Sequence, residues 1–259
     1  MADGSAEIPA ETDGEGTGGT LTVRIWRGRE DGRFETYAVP ARQNQTVLDV
    51  VTEVQRAHAP DLAYRFACRV GVCGSCAMTV NGVPRWTCRT HVRRVAEEGA
   101  LTIEPLANLP RLKDLACDMA PFFENWQAAG GAFEGSATRA DPPARVDPES
   151  GARKAVDAAV ECINCGVCYA ACDVVRWDET YLGPAALNRA WTLVQDERHA
   201  GRAATLEAAL GQGGCGSCHA QGSCMAHCPV GLSPTESIAG LKREGYGGFN
   251  LWSALLGRR

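Results

Sequence analysis

The sequence predicts an α+β protein in two parts: a β-rich N-terminal domain around one helix, then an α-helical C-terminal domain. Three observations predict it. Apolar residues alternate from the start of the first part, at Leu21, Val23 and Ile25, with the period of a half-buried strand. Residues 129–151 (AGGAFEGSATRADPPARVDPESG) are rich in Gly, Pro and charge and read as a linker. Beyond them the chain is Ala- and Leu-rich with helical spacing over about 152–160, 184–199, 202–210 and 234–243.

The elements follow in order. Residues 1–19 hold little but Gly, Ser, Thr and acid, the composition of a disordered tail. The strand from Leu21 runs into a turn over Gly28–Gly32, and Phe34–Val39 returns until Pro40 stops it. Thr46 can cap a helix to about Ala57 that puts Val47, Val50, Val51 and Val54 on one face. A cysteine loop spans Cys68–Cys76. Met78 and Val80 lead into Asn81-Gly82, a two-residue hairpin signal, and Val83–Thr87 returns. Leu101–Glu104 is a further strand, and a helix is expected from about Lys113 to Trp126. Strands around one helix suit a β-grasp-like domain. The limits drawn are 20–126 for this domain with its exit helix, 127–151 for the linker and 152–259 for the helical domain.

Composition excludes several classes. A net charge of -5 opposes a general nucleic-acid surface. No run of 18 apolar residues exists to span a membrane. Asp3, Glu7, Glu11, Asp13 and Glu15 precede the first basic residue, Arg24, which opposes a secretory signal and an Arg-rich transit peptide. Without an export signal, 13 cysteines in tight C-x2-C groups point to metal rather than disulfides.

The cysteine spacing carries the chemistry. Cys68, Cys73, Cys76 and Cys88 give C-x4-C-x2-C-x11-C, the plant-type ferredoxin spacing for a 2Fe–2S centre. Cys162, Cys165, Cys168 and Cys172 give C-x2-C-x2-C-x3-C, the bacterial-type run. The same register returns at 218, 221, 224 and 228, but position 221 is Gln. In two-cluster ferredoxins the fourth cysteine of each run ligates the other cluster. Applied here, that crossover gives Cys162, Cys165, Cys168 and Cys228 to a 4Fe–4S site. It leaves Cys172, Cys218 and Cys224 for a three-ligand site, suited to 3Fe–4S, with Gln221 at the vacant corner. Zinc is the competing ligand of such thiolates, in the manner of zinc ribbons. Cys117 reads as a buried structural thiol, and Cys215, in C-x2-C with Cys218, as a loop thiol or an extra ligand.

These residues resemble the iron–sulfur subunit of succinate dehydrogenase and fumarate reductase over about residues 20–250. The likeness lies in APDLAYRFACRVGVCGSCAMTVNG (59–82), IEPLANLP (103–110), ECINCGVCYAAC (161–172), LGPAAL (182–187) and CMAHCPVGLSPT (224–235). The resemblance implies a plant-type ferredoxin-like β-grasp domain followed by an α-helical bacterial-type ferredoxin-like domain. It also implies an electron path from the FAD of a flavoprotein subunit, through 2Fe–2S, 4Fe–4S and 3Fe–4S, to a quinone at a membrane anchor subunit. The complex would sit peripherally on the cytoplasmic face of the inner membrane. No G-x-G-x-x-G fingerprint lies between a predicted strand and the helix it would open, so flavin and anchor are expected from partners.

By the same resemblance, Trp177 and His219 match residues that contact the quinone in ubiquinone-using relatives, and Lys242 matches a lysine at that end. Their plainer readings are core packing for Trp177, a cluster neighbour for His219 and a solvated helix lysine for Lys242. Asp173 stands where the family has proline, and Gln221 where it has a branched aliphatic residue. Arg85, Arg89, Arg93 and Arg94 either dock the flavoprotein or form a solvated basic face. Several segments look like fumarate reductase, whereas Trp177 and His219 look like succinate dehydrogenase, and succinate oxidation is the expected direction. The alternatives are a subunit of another flavin dehydrogenase, a free ferredoxin-like carrier and a zinc-stabilised module.

Overall fold

The computed structural model describes residues 19–246. The tail expected over 1–19 therefore lies almost wholly outside the described residues, as does the end of the helical domain, 247–259.

Strand β1 (Thr20–Arg27) pairs antiparallel with β2 (Arg33–Pro40), in register from Thr20 opposite Pro40 to Arg27 opposite Arg33. Helix α1 (Val47–Ala57) starts where Thr46 predicts. The Thr46 side chain accepts from the Asp49 amide while the Asp49 carboxylate accepts from the Thr46 amide, a reciprocal cap that satisfies two orphan donors. Strands β3 (Ala77–Val80) and β4 (Val83–Trp86) form the hairpin about Asn81-Gly82. Both turn residues have positive φ, 48° and 74°, as a two-residue turn matched to strand twist requires. Strand β5 (Ala100–Glu104) lies parallel to β1 and antiparallel to β3, so the sheet is mixed, in the order β2-β1-β5-β3-β4. Val23, Ile25, Val39, Met78, Val80, Leu101 and Ile103 from the sheet meet Val47, Val50, Val51 and Val54 from α1 in one core.

The helix expected from Lys113 begins later. Strands β6 (Arg111–Lys113) and β7 (Ala116–Cys117) make a small hairpin, and α2 runs Ala120–Ala128. Buried Asp114 explains the difference. Its carboxylate accepts from the amides of Gly28 (2.7 Å) and Ala63 (2.8 Å) and pairs with Arg27 at 3.3 Å. Three partners far away in sequence hold this turn in a conformation of positive φ (51°) that no helix contains.

The C-terminal half is helical: α3 (Gly151–Val156), α4 (Val167–Ala170), α5 (Asp173–Trp177), α6 (Pro184–Val194), α7 (Arg202–Leu210), α8 (Ser223–Ala226) and α9 (Pro234–Tyr246). Helix α6 is its centre, burying Leu187, Ala190, Trp191, Leu193 and Val194. Gly240 of α9 lets that helix close onto it, since a Cβ there would stand 2.7 Å from the Trp191 ring. Helix α6 stops at Val194, short of the expected 199. Residues 198–200 are instead claimed by the linker: the Ser136 amide donates to the Arg198 carbonyl (3.0 Å) and the Ala200 amide to the Glu134 carbonyl (2.8 Å). Buried His199 accepts from the Glu134 amide through Nδ1 at 3.0 Å. Likewise α3 ends at Val156, with only a single 3-10 turn over Ala159–Glu161 before the cysteine run. No helix among the described residues is long and apolar enough to cross a membrane.

Candidate iron–sulfur sites

Cys68, Cys73 and Cys76 lie on the loop between α1 and β3, and Cys88 on the 3-10 turn after β4. The amides of Val70 and Val72 both point at Cys68 Sγ, at 3.4 Å each. These donors pull the Cys68 pKa down to about 6, so the loop stabilises a thiolate before any metal arrives. Cys73 Sγ lies 3.1 Å from the Ser75 hydroxyl, which lowers its pKa too. Cys76 and Cys88 are buried against Leu48. Burial, then the neighbouring Cys76, push Cys88 up to about 12. The Thr87 hydroxyl donates to the Cys76 carbonyl at 2.7 Å and ties the two ligand segments together.

Cys162 and Cys165 come from the turn entering α4, Cys168 from α4 itself, and Cys228 from just past α8. The four line one cavity, closed by Leu232 and Pro234. Burial raises Cys162 and pushes Cys165 up to about 12. Cys168 is raised further still, by burial and then by its cysteine neighbours. Packed thiols of this kind become thiolates when a cation takes the proton's place, the donor chemistry that soft metal centres require. The Leu232 amide approaches Cys228 Sγ at 3.3 Å.

Cys172 follows α4, Cys218 follows a 3-10 turn over Cys215–Ser217, and Cys224 sits in α8. Buried Tyr181 has all three as electrostatic neighbours. The Ala220 amide meets Cys218 Sγ at 3.4 Å, and Thr235 Oγ1 stands 3.4 Å from Cys224 Sγ. Lys242 Nζ donates to the Cys218 carbonyl at 3.1 Å, so this lysine is fastened to the loop rather than left in solvent. Gln221 is exposed on the loop between Cys218 and Cys224.

Cys228 thus shares a cavity with Cys162, Cys165 and Cys168, and Cys172, Cys218 and Cys224 share Tyr181 as a neighbour. Among the described residues, no three His, Cys, Asp or Glu side chains form a group that could hold a single metal ion. The amide-to-sulfur contacts also supply the hydrogen bonds that tune a cluster. Cys117 is buried with its thiol toward the Leu106 carbonyl (3.6 Å), and Cys215 is wholly buried in the helical core.

Trp177 ends the short helix that starts beside Cys172 and is 66% exposed. His219 is also exposed, next to Cys218. Core packing is therefore not the role of this tryptophan. Arg89, Arg93 and Arg94 are exposed, whereas Arg85 is half-buried and its Nε has no partner. Sequence reasoning missed Tyr181, which has no motif of its own, and Asn108. The Asn108 amide reaches the carbonyls of Tyr169, Ala170 and Cys172.

Comparison with known proteins agrees with this geometry. The 2Fe-2S iron-sulfur cluster binding domain family matches residues 21–124, and the 4Fe-4S dicluster domain family matches residues 161–233. The fumarate reductase iron-sulfur subunit of Escherichia coli O6:H1 is 34% identical over 202 residues, 78% of this chain and 82% of that protein. The succinate dehydrogenase iron-sulfur subunit of Paracoccus denitrificans is 31% identical over 215 residues, 82% of each chain. A chain of the Mycobacterium smegmatis Sdh1 complex in the apo form superposes with a TM-score of 0.78 at 26% identity, covering 89% of this chain and 97% of that one. Long coverage at this identity, with both domain families in order, establishes membership: the chain belongs to the family of fumarate reductase and succinate dehydrogenase iron–sulfur subunits.

Proposed function

We propose that the chain is the electron-transfer subunit of a succinate:quinone oxidoreductase, working between the FAD of a flavoprotein subunit and a quinone held at a membrane anchor. The observation that carries this reading is the set of three separate cysteine groups, one per expected cluster, running from the N-terminal loop into the helical domain. Cys68, Cys73, Cys76 and Cys88 hold 2Fe–2S on a β-grasp scaffold. Cys162, Cys165, Cys168 and Cys228 hold 4Fe–4S, and Cys172, Cys218 and Cys224 hold 3Fe–4S, in an α-helical ferredoxin-like scaffold. When bound, such clusters supply one-electron redox chemistry without moving bonds in the protein.

The chain's own residues do the rest. Backbone amides of Val70, Val72, Ala220 and Leu232 donate to ligand sulfurs and favour their anionic form. Leu48, Leu232 and Tyr181 wall the sulfurs from water. Exposed Trp177 and His219 flank the three-cysteine site and present an indole N–H and an imidazole to the quinone oxygens. The imidazole can pass the proton that quinone reduction needs. Exposed Arg89, Arg93 and Arg94 suit docking of the flavoprotein, and the chain lies on the cytoplasmic face of the membrane as a peripheral subunit. Succinate oxidation is the direction we assign.

The test is succinate-driven quinone reduction by the purified complex. Trp177→Phe and His219→Ala should slow quinone reduction while leaving succinate oxidation by an artificial acceptor at the flavin intact. Equal loss of both activities would refute the quinone assignment.

A further inference from the structure

Gly74 follows Cys73 on the N-terminal cysteine loop and faces the helical domain. A Cβ built on it would overlap the Ile163 carbonyl oxygen and stand 3.1 Å from the Cys165 Cα and 3.2 Å from the Cys165 nitrogen. All three obstacles are backbone atoms, which cannot rotate aside as a side-chain tip does. The loop bearing Cys73 and Cys76 therefore touches the loop bearing Cys162 and Cys165 backbone to backbone at Gly74. Beside this contact the two loops part around a cavity of about 180 Å³, lined by Cys73, Ser75, Asn164, Cys165, Leu106 and Met119. Leu106, Leu109 and Cys117 share a core with Tyr169 and Ala170 nearby, and Gly74 marks where the two cysteine loops themselves meet.

Backbone conformation alone does not account for the glycine. Gly74 has φ +70°, but so in kind does Gly71 (+80°), whose missing Cβ makes room for Trp86 inside its own domain, and Gly82 (+74°), which faces open space. Of these three, only Gly74 meets the other domain.

We propose that Gly74 is a positioning residue for electron passage: its missing side chain sets how closely the Cys73 loop approaches the Cys165 loop, and so how near the two cluster sites lie. The inference rests on the cluster assignment above. The step it serves moves one electron from the site held by Cys68, Cys73, Cys76 and Cys88, which is oxidised, to the site held by Cys162, Cys165, Cys168 and Cys228, which is reduced. The partner's flavin is the donor, and no bond or proton moves at Gly74. A methyl group there would force the two backbones apart by about 1 Å to restore ordinary contact.

The test compares Gly74→Ala with Gly82→Ala, each in the full chain with its copurifying partners. The alanine at 82 carries the same backbone strain without the obstacle. Three readouts are taken: iron content, the midpoint potential of each centre, and the magnetic interaction between the two reduced centres, seen as faster relaxation of the 2Fe–2S signal. Gly74→Ala should keep its iron and both potentials, lose part of the relaxation enhancement and fill the 4Fe–4S centre more slowly. Gly82→Ala should match wild type throughout. Wild-type enhancement in Gly74→Ala would overturn the proposal, as would the same loss in both variants. Selective loss of 2Fe–2S iron from Gly74→Ala would also overturn it, because the glycine would then serve only its own loop. A wild-type chain without the two signals would overturn the cluster assignment itself, before any variant is compared.

Discussion

The Asn108 side-chain amide donates to the carbonyl of Cys172 at 3.1 Å, joining the N-terminal part of the chain to a cysteine of the third ligand group. The same nitrogen meets the carbonyls of Tyr169 (3.0 Å) and Ala170 (3.3 Å), so one side chain satisfies the C-terminal end of α4. Asn108→Ala would leave these carbonyls short of donors, at about 1–3 kcal/mol. A lower thermal midpoint and a broadened 3Fe–4S signal, with the 2Fe–2S signal unchanged, are expected. Calorimetry and electron paramagnetic resonance on one preparation would check both.

By spacing, Gln221 falls where a fourth thiolate of the third group is expected. Gln221→Cys should convert the 3Fe–4S centre to 4Fe–4S, lower its potential and slow quinone reduction. An unchanged 3Fe–4S signal with normal turnover would mean that position 221 is not the vacant corner.

Cys117 and Cys215 are buried thiols outside the three groups. Cys117→Ala and Cys215→Ala should keep the full iron content and all three signals. Loss of the 3Fe–4S signal from Cys215→Ala would make that cysteine a ligand.

Asp114 pairs with Arg27 and accepts from two backbone amides while almost wholly buried. Asp114→Ala leaves Arg27 with exposed Asp61 as its one carboxylate partner and orphans the amides, a loss of about 3–5 kcal/mol, the cost of breaking a buried ion pair. Urea unfolding should show a lower midpoint, and the 2Fe–2S centre should be lost first, because Asp114 anchors Ala63 just ahead of the Cys68 loop.

The iron-free chain should be alkali-sensitive. Folding raises Cys88 and Cys165 to about 12 from an ordinary 9.0. A raised pKa contributes stability that is fully present below the unfolded value and lost as pH climbs through the folded one. Cys68, lowered to about 6, acts oppositely: its contribution is present above the unfolded value and lost as pH falls through 6. Stability of the iron-free chain should therefore fall from pH 9 towards 12, while the loaded chain, whose thiols are already deprotonated, should not follow. Urea midpoints against pH, with and without iron, would reveal the difference, and parallel curves would contradict it.

The parts legible in sequence were those fixed by local chemistry. Thr46 with Asp49 announces α1, and Asn81-Gly82 announces the hairpin. The parts not legible depend on distant partners. The helix expected from about Lys113 gives way to a turn because the Asp114 carboxylate is held by Gly28, Ala63 and Arg27. Helix α6 could run on past Val194 but for Glu134 and Ser136, whose backbones claim Ala200 and Arg198. Exposure of Trp177 is likewise a property of the packed domain, since its sequence neighbours Val174 and Val175 are buried.

The most direct test of the three-group account is low-temperature electron paramagnetic resonance on the purified chain with its copurifying partners, as isolated and after dithionite. The account predicts an oxidised 3Fe–4S signal first and a 2Fe–2S signal after reduction, with a 4Fe–4S centre interacting magnetically with its neighbours. A silent, colourless preparation containing zinc would contradict it.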